Sequence, residues 1–150
     1  MARTLWRLYR ARRGPGLDGA GGTFADGRWH SLGNRVAYFG ASAAVVVLER
    51  LAHTDLDLLP DDLRLGRFEL PDGADSLTAI GDLTKNWPRT EHWTRSKGDD
   101  WLHSKVSCLL AVPSAILPEE TNYVFNPEHP DARSLRLVRE RPFSFDPRLI

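Results

Sequence analysis

A single cysteine, Cys108, leaves this chain no internal disulfide to form and no cysteine-based zinc site to build. Net charge is missing too: 20 Lys and Arg are balanced by 20 Asp and Glu, whereas a general nucleic-acid binder carries a marked basic excess. No apolar stretch approaches the ~18 residues of a membrane span, and no charged segment followed by an apolar one opens the chain as a secretory leader would. The histidines (His30, His53, His92, His103 and His129) include no pair four residues apart and none beside the cysteine at ligand spacing, so no metal site is expected. Asp55, Asp57, Asp61 and Asp62 lack the glycine and closing glutamate of a calcium loop. What remains is 150 residues, 41% of them hydrophobic, enough to bury a core and too apolar for disorder. The expectation is one cytoplasmic domain over residues 1–150.

Within that frame the chain reads as strands, loops and a helix. Leu5 to Arg10 is expected as a strand, residues 14 to 27 as a glycine-rich loop, and Arg35 to Phe39 as a second strand. Ser42 is a suitable N-cap for a helix from Ala43 to His53. Leu63 to Leu70 is a strand stopped by Pro71, and residues 72 to 100 read as irregular, with a short helix near Asp82. Val106 to Val112 has the length and continuous apolarity of a buried strand, with shorter strands at Tyr123 to Phe125 and Leu135 to Val138. Together these describe an α+β chain rather than a regular strand–helix alternation.

Charge is distributed unevenly. Arg3, Arg7, Arg10, Arg12 and Arg13 precede Gly14 without an acid, acids crowd the middle, and Arg133, Arg136, Arg139 and Arg141 return near the end. Solvated faces account for such runs; a cationic surface for an anionic ligand or acidic partner is the sharper alternative. Gly14-Pro15-Gly16-Leu17-Asp18-Gly19 has the spacing G-x-G-x-x-G, but Gly21 and Gly22 follow where a phosphate-binding helix would have to start, and no acid stands about 20 residues on. A dinucleotide fingerprint of the Rossmann kind is therefore not expected. Cys108, inside an apolar run, reads as a small core residue.

Three features resist a bland reading. Ala43 to Leu48 is apolar on every side, so the start of the helix is expected to be buried all round, and Glu49 follows it with Val45, Val46 and Ala52 on its helical flanks and His53 at i+4. A carboxylate so placed needs a structural partner or a ligand; Arg50 is expected to face solvent. Arg28-Trp29, at the edge of the glycine loop, either anchors a surface turn or sets a guanidinium on a phosphate with an indole beside a ring. Ser114 sits where a buried strand leaves the core.

In order, Gly27-Arg28-Trp29, Val36-Ala37-Tyr38, Leu48-Glu49-Arg50-Leu51-Ala52-His53, Val112-Pro113-Ser114-Ala115-Ile116, Asn122-Tyr123-Val124-Phe125-Asn126-Pro127-Glu128-His129-Pro130 and Arg141-Pro142-Phe143-Ser144-Phe145-Asp146-Pro147-Arg148-Leu149 resemble the motifs of the RES domain, named after an arginine, a glutamate and a serine. The similarity runs from about Leu5 to Leu149. His30 stands where the family usually has asparagine, and Ala111 where an arginine is frequent. The resemblance implies an ADP-ribosyltransferase-like fold of small sheets flanked by short helices. It also implies the toxin half of a bacterial toxin–antitoxin pair, an enzyme that cleaves the nicotinamide–ribose bond of NAD+ as its substrate, without a metal. Arg28, Tyr38, Glu49 and Ser114 would be catalytic, and Trp29, Ser31, His53 and Asn126 would join Arg28 and Tyr38 in binding NAD+. Water is the expected acceptor, with phosphate next; a protein side chain as acceptor would make it an ADP-ribosyltransferase, and a non-catalytic interaction module is the reading of another class. A separate Xre-like antitoxin would block the pocket, with an oligomeric complex left open, and would carry any DNA binding.

Overall fold

The computed structural model describes residues 2–150. Seven strands form one sheet in the order β4-β5-β6-β2-β1-β3-β7, where β1 is Arg3–Arg10, β2 Ala37–Gly40, β3 Leu63–Leu70, β4 Leu77–Ala79, β5 Leu109–Pro113, β6 Thr121–Phe125 and β7 Arg136–Pro142. Two helices accompany them, α1 over Ala43–Ala52 and α2 over Glu91–Ser104. Neighbouring strands are antiparallel except β4 and β5, which are parallel.

The sheet is weakest at its centre. β1 is paired along its whole length with β3, from Arg3 opposite Leu70 to Arg10 opposite Leu63, but it meets β2 only at Trp6 opposite Gly40. Beyond that pair the strands separate, and the half-sheets β3-β1 and β2-β6-β5 part to leave a cleft. Arg7 fills part of the gap: its Nη1 donates to the Tyr38 carbonyl at 2.7 Å, satisfying a β2 acceptor that no β1 amide reaches.

Three apolar clusters hold the layers together. Leu5, Tyr9, Phe39, Phe68, Leu109 and Phe125 make the largest, with Phe39 edge-on to Phe68 and Phe125 at 5.2 and 5.6 Å. Val45 and Val46 of α1 pack on Leu8 and Leu65; burying each valine contributes ~1.5–3 kcal/mol. Gly40 permits that approach, since a Cβ there would sit 2.5 Å from Val46 Cγ1. Trp101 and Leu102 of α2 close the third cluster on Trp29, Val36, Trp87, Leu110 and Val124. No helix among the described residues is long and apolar enough to cross a membrane.

Several expectations need correction. The stretch 72–100, expected as irregular, supplies β4 and most of α2. The buried face of α2 is Thr94, Gly98, Trp101 and Leu102, a stripe at helical spacing whose first two members are small or polar and so leave no apolar periodicity to read. Val106 is exposed, and β5 begins only at Leu109. The first turns of α1 are not buried all round: Ser42 Oγ caps the helix by accepting from the Val45 amide at 3.1 Å as expected, but Ala44 and Leu48 face solvent.

Candidate active site

A cavity of about 730 Å3 opens where β1 and β2 diverge, bounded by the loop 21–30, β2, α1 and the start of α2. That volume lies in the range of ~300–1,000 Å3 typical of small-molecule sites. Arg28, Trp29, Tyr38, Glu49 and His53 line it, so the structure gathers five of the eight expected site residues around one space.

Glu49 projects from α1 with its side chain 25% exposed. Its Oε1 accepts from Ser114 Oγ at 2.7 Å and from Asn122 Nδ2 at 2.8 Å, while Oε2 lies 3.5 Å from His53 Nε2, whose ring is largely in solvent. One oxygen is thus pinned by two donors and the other is left toward the cavity. Ser114 is 1% exposed and is not part of the cavity wall. Its hydroxyl accepts from the amides of Ile116 and Leu117 at 3.1 and 3.2 Å and spends its hydrogen on Glu49. The Ser114 hydroxyl therefore has no hydrogen left for another acceptor, and the group it holds is the Glu49 carboxylate.

Tyr38 holds the opposite wall. Its hydroxyl accepts from the Trp29 amide at 3.2 Å and lies 2.7 Å from His30 Nδ1. His30 Nε2 lies 2.8 Å from the Ala25 carbonyl, which only accepts, so Nε2 carries a hydrogen, and in that tautomer Nδ1 accepts the hydrogen of Tyr38. Burial raises the Tyr38 pKa well above the ordinary phenol value, so the group stays a donor at neutral pH. Its carbonyl takes Arg7 and its hydroxyl takes the loop carrying Arg28, so this one residue ties two walls of the cavity together.

Arg28 reaches its place through α2. Thr94 Oγ1 donates to the Arg28 carbonyl at 2.6 Å and Arg95 Nε to the Gly27 carbonyl at 2.9 Å. The Arg28 guanidinium donates to the Pro88 carbonyl at 2.8 Å, lies 3.6 Å from Glu91 Oε1 and covers the Trp87 ring. Trp29 is buried against Trp87 with ring centroids 6.0 Å apart. Ser31 belongs to the same clamp, not to the cavity: its amide and hydroxyl both donate to the Asp99 carboxylate, at 2.9 and 2.5 Å. Asn126 is likewise buried elsewhere, bonding the Leu102 carbonyl and the Glu128 amide. The structure brings neither to the cavity wall.

Residues absent from the sequence expectation complete the site. Asn122 shares Glu49 with Ser114. Arg50, expected in solvent, lines the cavity, as do Arg7, Arg95 and Glu91. Nothing in the local sequence separates Arg7 from its basic neighbours; Asn122 stood inside a recognised motif without a role.

The RES domain profile matches residues 4–146. The chain belongs to the RES family. This RES-family protein is 40% identical over 147 residues to a protein named Toxin Res from Pseudomonas putida, covering 97% of this chain and 98% of that one. It is 34% identical over 158 residues to the Prs ADP-ribosylating toxin of a Sphingobium strain, covering 100% and 98%. Its fold is similar to that of a chain in the crystal structure of the Mycobacterium tuberculosis MbcT–MbcA toxin–antitoxin complex, with a TM-score of 0.75 over 96% of this chain and 85% of that one at 17% identity. The α+β, ADP-ribosyltransferase-like fold expected from sequence is the fold observed, with a single seven-stranded sheet in place of the several small sheets expected.

Proposed function

We propose that this RES-family protein is the toxin of a toxin–antitoxin pair and that it cleaves the bond between nicotinamide and ribose in NAD+. The observation that carries the reading is Glu49: a carboxylate fixed by Ser114 and Asn122 in the same cavity as Arg28 and Tyr38. When the C–N bond breaks, its electron pair leaves with nicotinamide and positive charge develops on the ribosyl carbon. A carboxylate held beside that carbon stabilises the transition state more than the ground state, which lowers the barrier. Pinning Oε1 in advance removes reorganisation at the moment of reaction. Water then bonds to the ribosyl carbon, and its proton passes through Oε2 of Glu49, the oxygen that Ser114 and Asn122 leave unbound, to solvent. Arg28 holds a phosphate oxygen, and the Tyr38 ring and Trp29 make the walls for the nicotinamide end. His53, beside Oε2, is placed to contact a ribose hydroxyl.

A free enzyme of this kind depletes its own cell, so the reading includes an antitoxin that covers the cavity mouth, consistent with the complex in which the fold neighbour was solved; an Xre-like protein is the partner expected. Transfer to a protein side chain is the second reading, favoured by the name of the Sphingobium relative. The test is product identity: purified protein, freed of antitoxin, is incubated with NAD+, with and without inorganic phosphate and with a lysate. Equimolar nicotinamide and ADP-ribose in plain buffer support hydrolysis. A phosphate-dependent product moves the acceptor to phosphate, and a labelled protein band moves it to a side chain. NAD+ left intact in all three arms contradicts the proposal.

A further inference from the structure

The turn that carries Arg28 and Trp29 closes around one side chain, His30, to which the proposed reaction gives no part. The His30 carbonyl accepts from the Gly27 amide at 3.0 Å and so shuts the turn. The residue is 3% exposed, and its ring uses both nitrogens: Nε2 donates to the Ala25 carbonyl at 2.8 Å, and Nδ1 lies 2.7 Å from the Tyr38 hydroxyl. With the ring hydrogen on Nε2, the hydrogen shared with Tyr38 is the phenol's own. The backbone of the turn lies against this pair, for a Cβ on Gly27 would stand 2.8 Å from the Tyr38 hydroxyl and 2.9 Å from His30 Nδ1. From the other side Arg95 Nε holds the Gly27 carbonyl at 2.9 Å. Arg28 is thus aimed from two directions, by α2 and by a hydrogen bond between His30 and β2.

A tyrosine beside a breaking bond can act in two ways, as a proton donor or through its ring. A phenol has one hydrogen and two lone pairs. Tyr38 gives its hydrogen to His30 and one lone pair to the Trp29 amide at 3.2 Å. Burial raises its pKa, so at neutral pH the hydrogen stays on the phenol and in that bond. No hydrogen is left to donate to a departing group. The proposed reaction asks for none: the pyridinium nitrogen takes the electron pair of the C–N bond, and nicotinamide leaves neutral. A buried ring with both nitrogens satisfied specifies one arrangement of its neighbours, and its removal strands the Tyr38 hydrogen and the Ala25 carbonyl without partners.

We propose that His30 is a positioning residue: it takes up the Tyr38 hydrogen and latches the Arg28 turn to β2, so that Tyr38 meets its substrate with the ring alone. The part given to Tyr38 toward a substrate rests on the NAD+ reading above; the latch itself does not.

The test is a double-mutant cycle on nicotinamide release from NAD+, with H30Q, Y38F and the pair, and with H30N as the conservative variant; urea midpoints are measured alongside. The glutamine amide reaches the Ala25 carbonyl in place of Nε2 and leaves Tyr38 without its acceptor, so H30Q is expected to lower kcat/KM about tenfold. In Y38F the same substitution is expected to cost less than about twofold, because the group it acts through is gone. H30N sets an amide oxygen near the place of Nδ1 and is expected to recover most of the H30Q loss. Wild-type kcat/KM in folded H30Q, an undiminished H30Q loss in Y38F, or an H30N protein as slow as H30Q overturns the latch. Y38F loses the acceptor of the Trp29 amide as well and is expected within about tenfold of H30Q. A Y38F rate about 10²–10⁴-fold below H30Q, the size of a general-acid contribution, overturns the assignment to the ring alone. Nitrogen-15 NMR of histidine-labelled protein, without NAD+, reads the latch by itself: His30 is expected to carry its hydrogen on Nε2, with a bare Nδ1 whose resonance moves in Y38F. A hydrogen on Nδ1 overturns the latch. The expected spectrum from a protein that leaves NAD+ uncleaved upholds the latch and contradicts the proposed reaction, so the two failures are separable.

Discussion

Glu49 is held to a chosen geometry by Ser114, which lies behind the cavity wall, and by Asn122, which lies on it, and this is where residue-scale predictions are sharpest. S114A removes one of two donors to Oε1 and leaves the amides of Ile116 and Leu117 without their acceptor. Displacing a reacting group by about 1 Å can cost on the order of 10²-fold in rate, so S114A is expected to lower kcat for nicotinamide release by about that factor, with KM little changed. Unchanged kcat in a folded S114A protein contradicts the positioning role. The same residues show what the sequence can and cannot reveal. Glu49 stands out because a carboxylate follows an apolar run, and Arg28 because the family resemblance marks it. Asn122 and Arg7 do not stand out, because their significance lies in partners 73 and 31 residues away, a separation that no local pattern encodes.

At the scale of elements, α1 was legible and α2 was not, for physical reasons. α1 has an N-cap serine and an unbroken apolar start; α2 has charged residues through its length and a glycine in its middle. That glycine is what the helix needs to do its work. A Cβ at Gly98 would lie 1.7 Å from the Trp29 carbonyl oxygen, so Gly98 is the point at which α2 clamps the loop carrying Arg28, with Thr94, Arg95 and Asp99 bonding the same loop. Helix propensity favours alanine over glycine by ~0.8–1 kcal/mol. A clash with backbone cannot be relieved by rotating a side chain, and overpacking of this sort costs ~1–3 kcal/mol. G98A is therefore expected to lower the urea midpoint and to lose activity beyond what its stability explains, because Trp29 and Arg28 must shift. A thermally stable, fully active G98A protein would show that the clamp is not needed.

Over the whole molecule, one sheet parted at β1 and β2 creates both the core and the cavity. The uneven charge resolves accordingly: Arg136, Arg139 and Arg141 lie on the fully exposed edge strand β7, as solvated faces should, whereas Arg7 has been drawn into the parting of the sheet. Cys108 is 0% exposed, and burial raises its pKa to about 12, so a thiol reagent should leave the native protein unmodified and react fully in urea; rapid native labelling contradicts this packing. Tyr9 has its pKa raised to about 12, by burial first and then by its hydrogen bond to Glu140. The unfolded chain loses that proton near pH 10, so the stabilisation is complete below about pH 10 and is lost as pH rises through about 12. Urea midpoints should fall across that window, and Y9F should fall less.

The central claim is that the Glu49 carboxylate promotes departure of nicotinamide. It is tested most directly by the rate of nicotinamide release from NAD+ by wild-type protein and by E49Q, which keeps the shape of the side chain and removes its charge. Removing a preorganised group that meets transition-state charge costs ~10²–10³-fold. A loss of that size in kcat, with the wild-type circular dichroism spectrum and urea midpoint preserved, is the predicted result; release by folded E49Q at the wild-type rate would contradict the account.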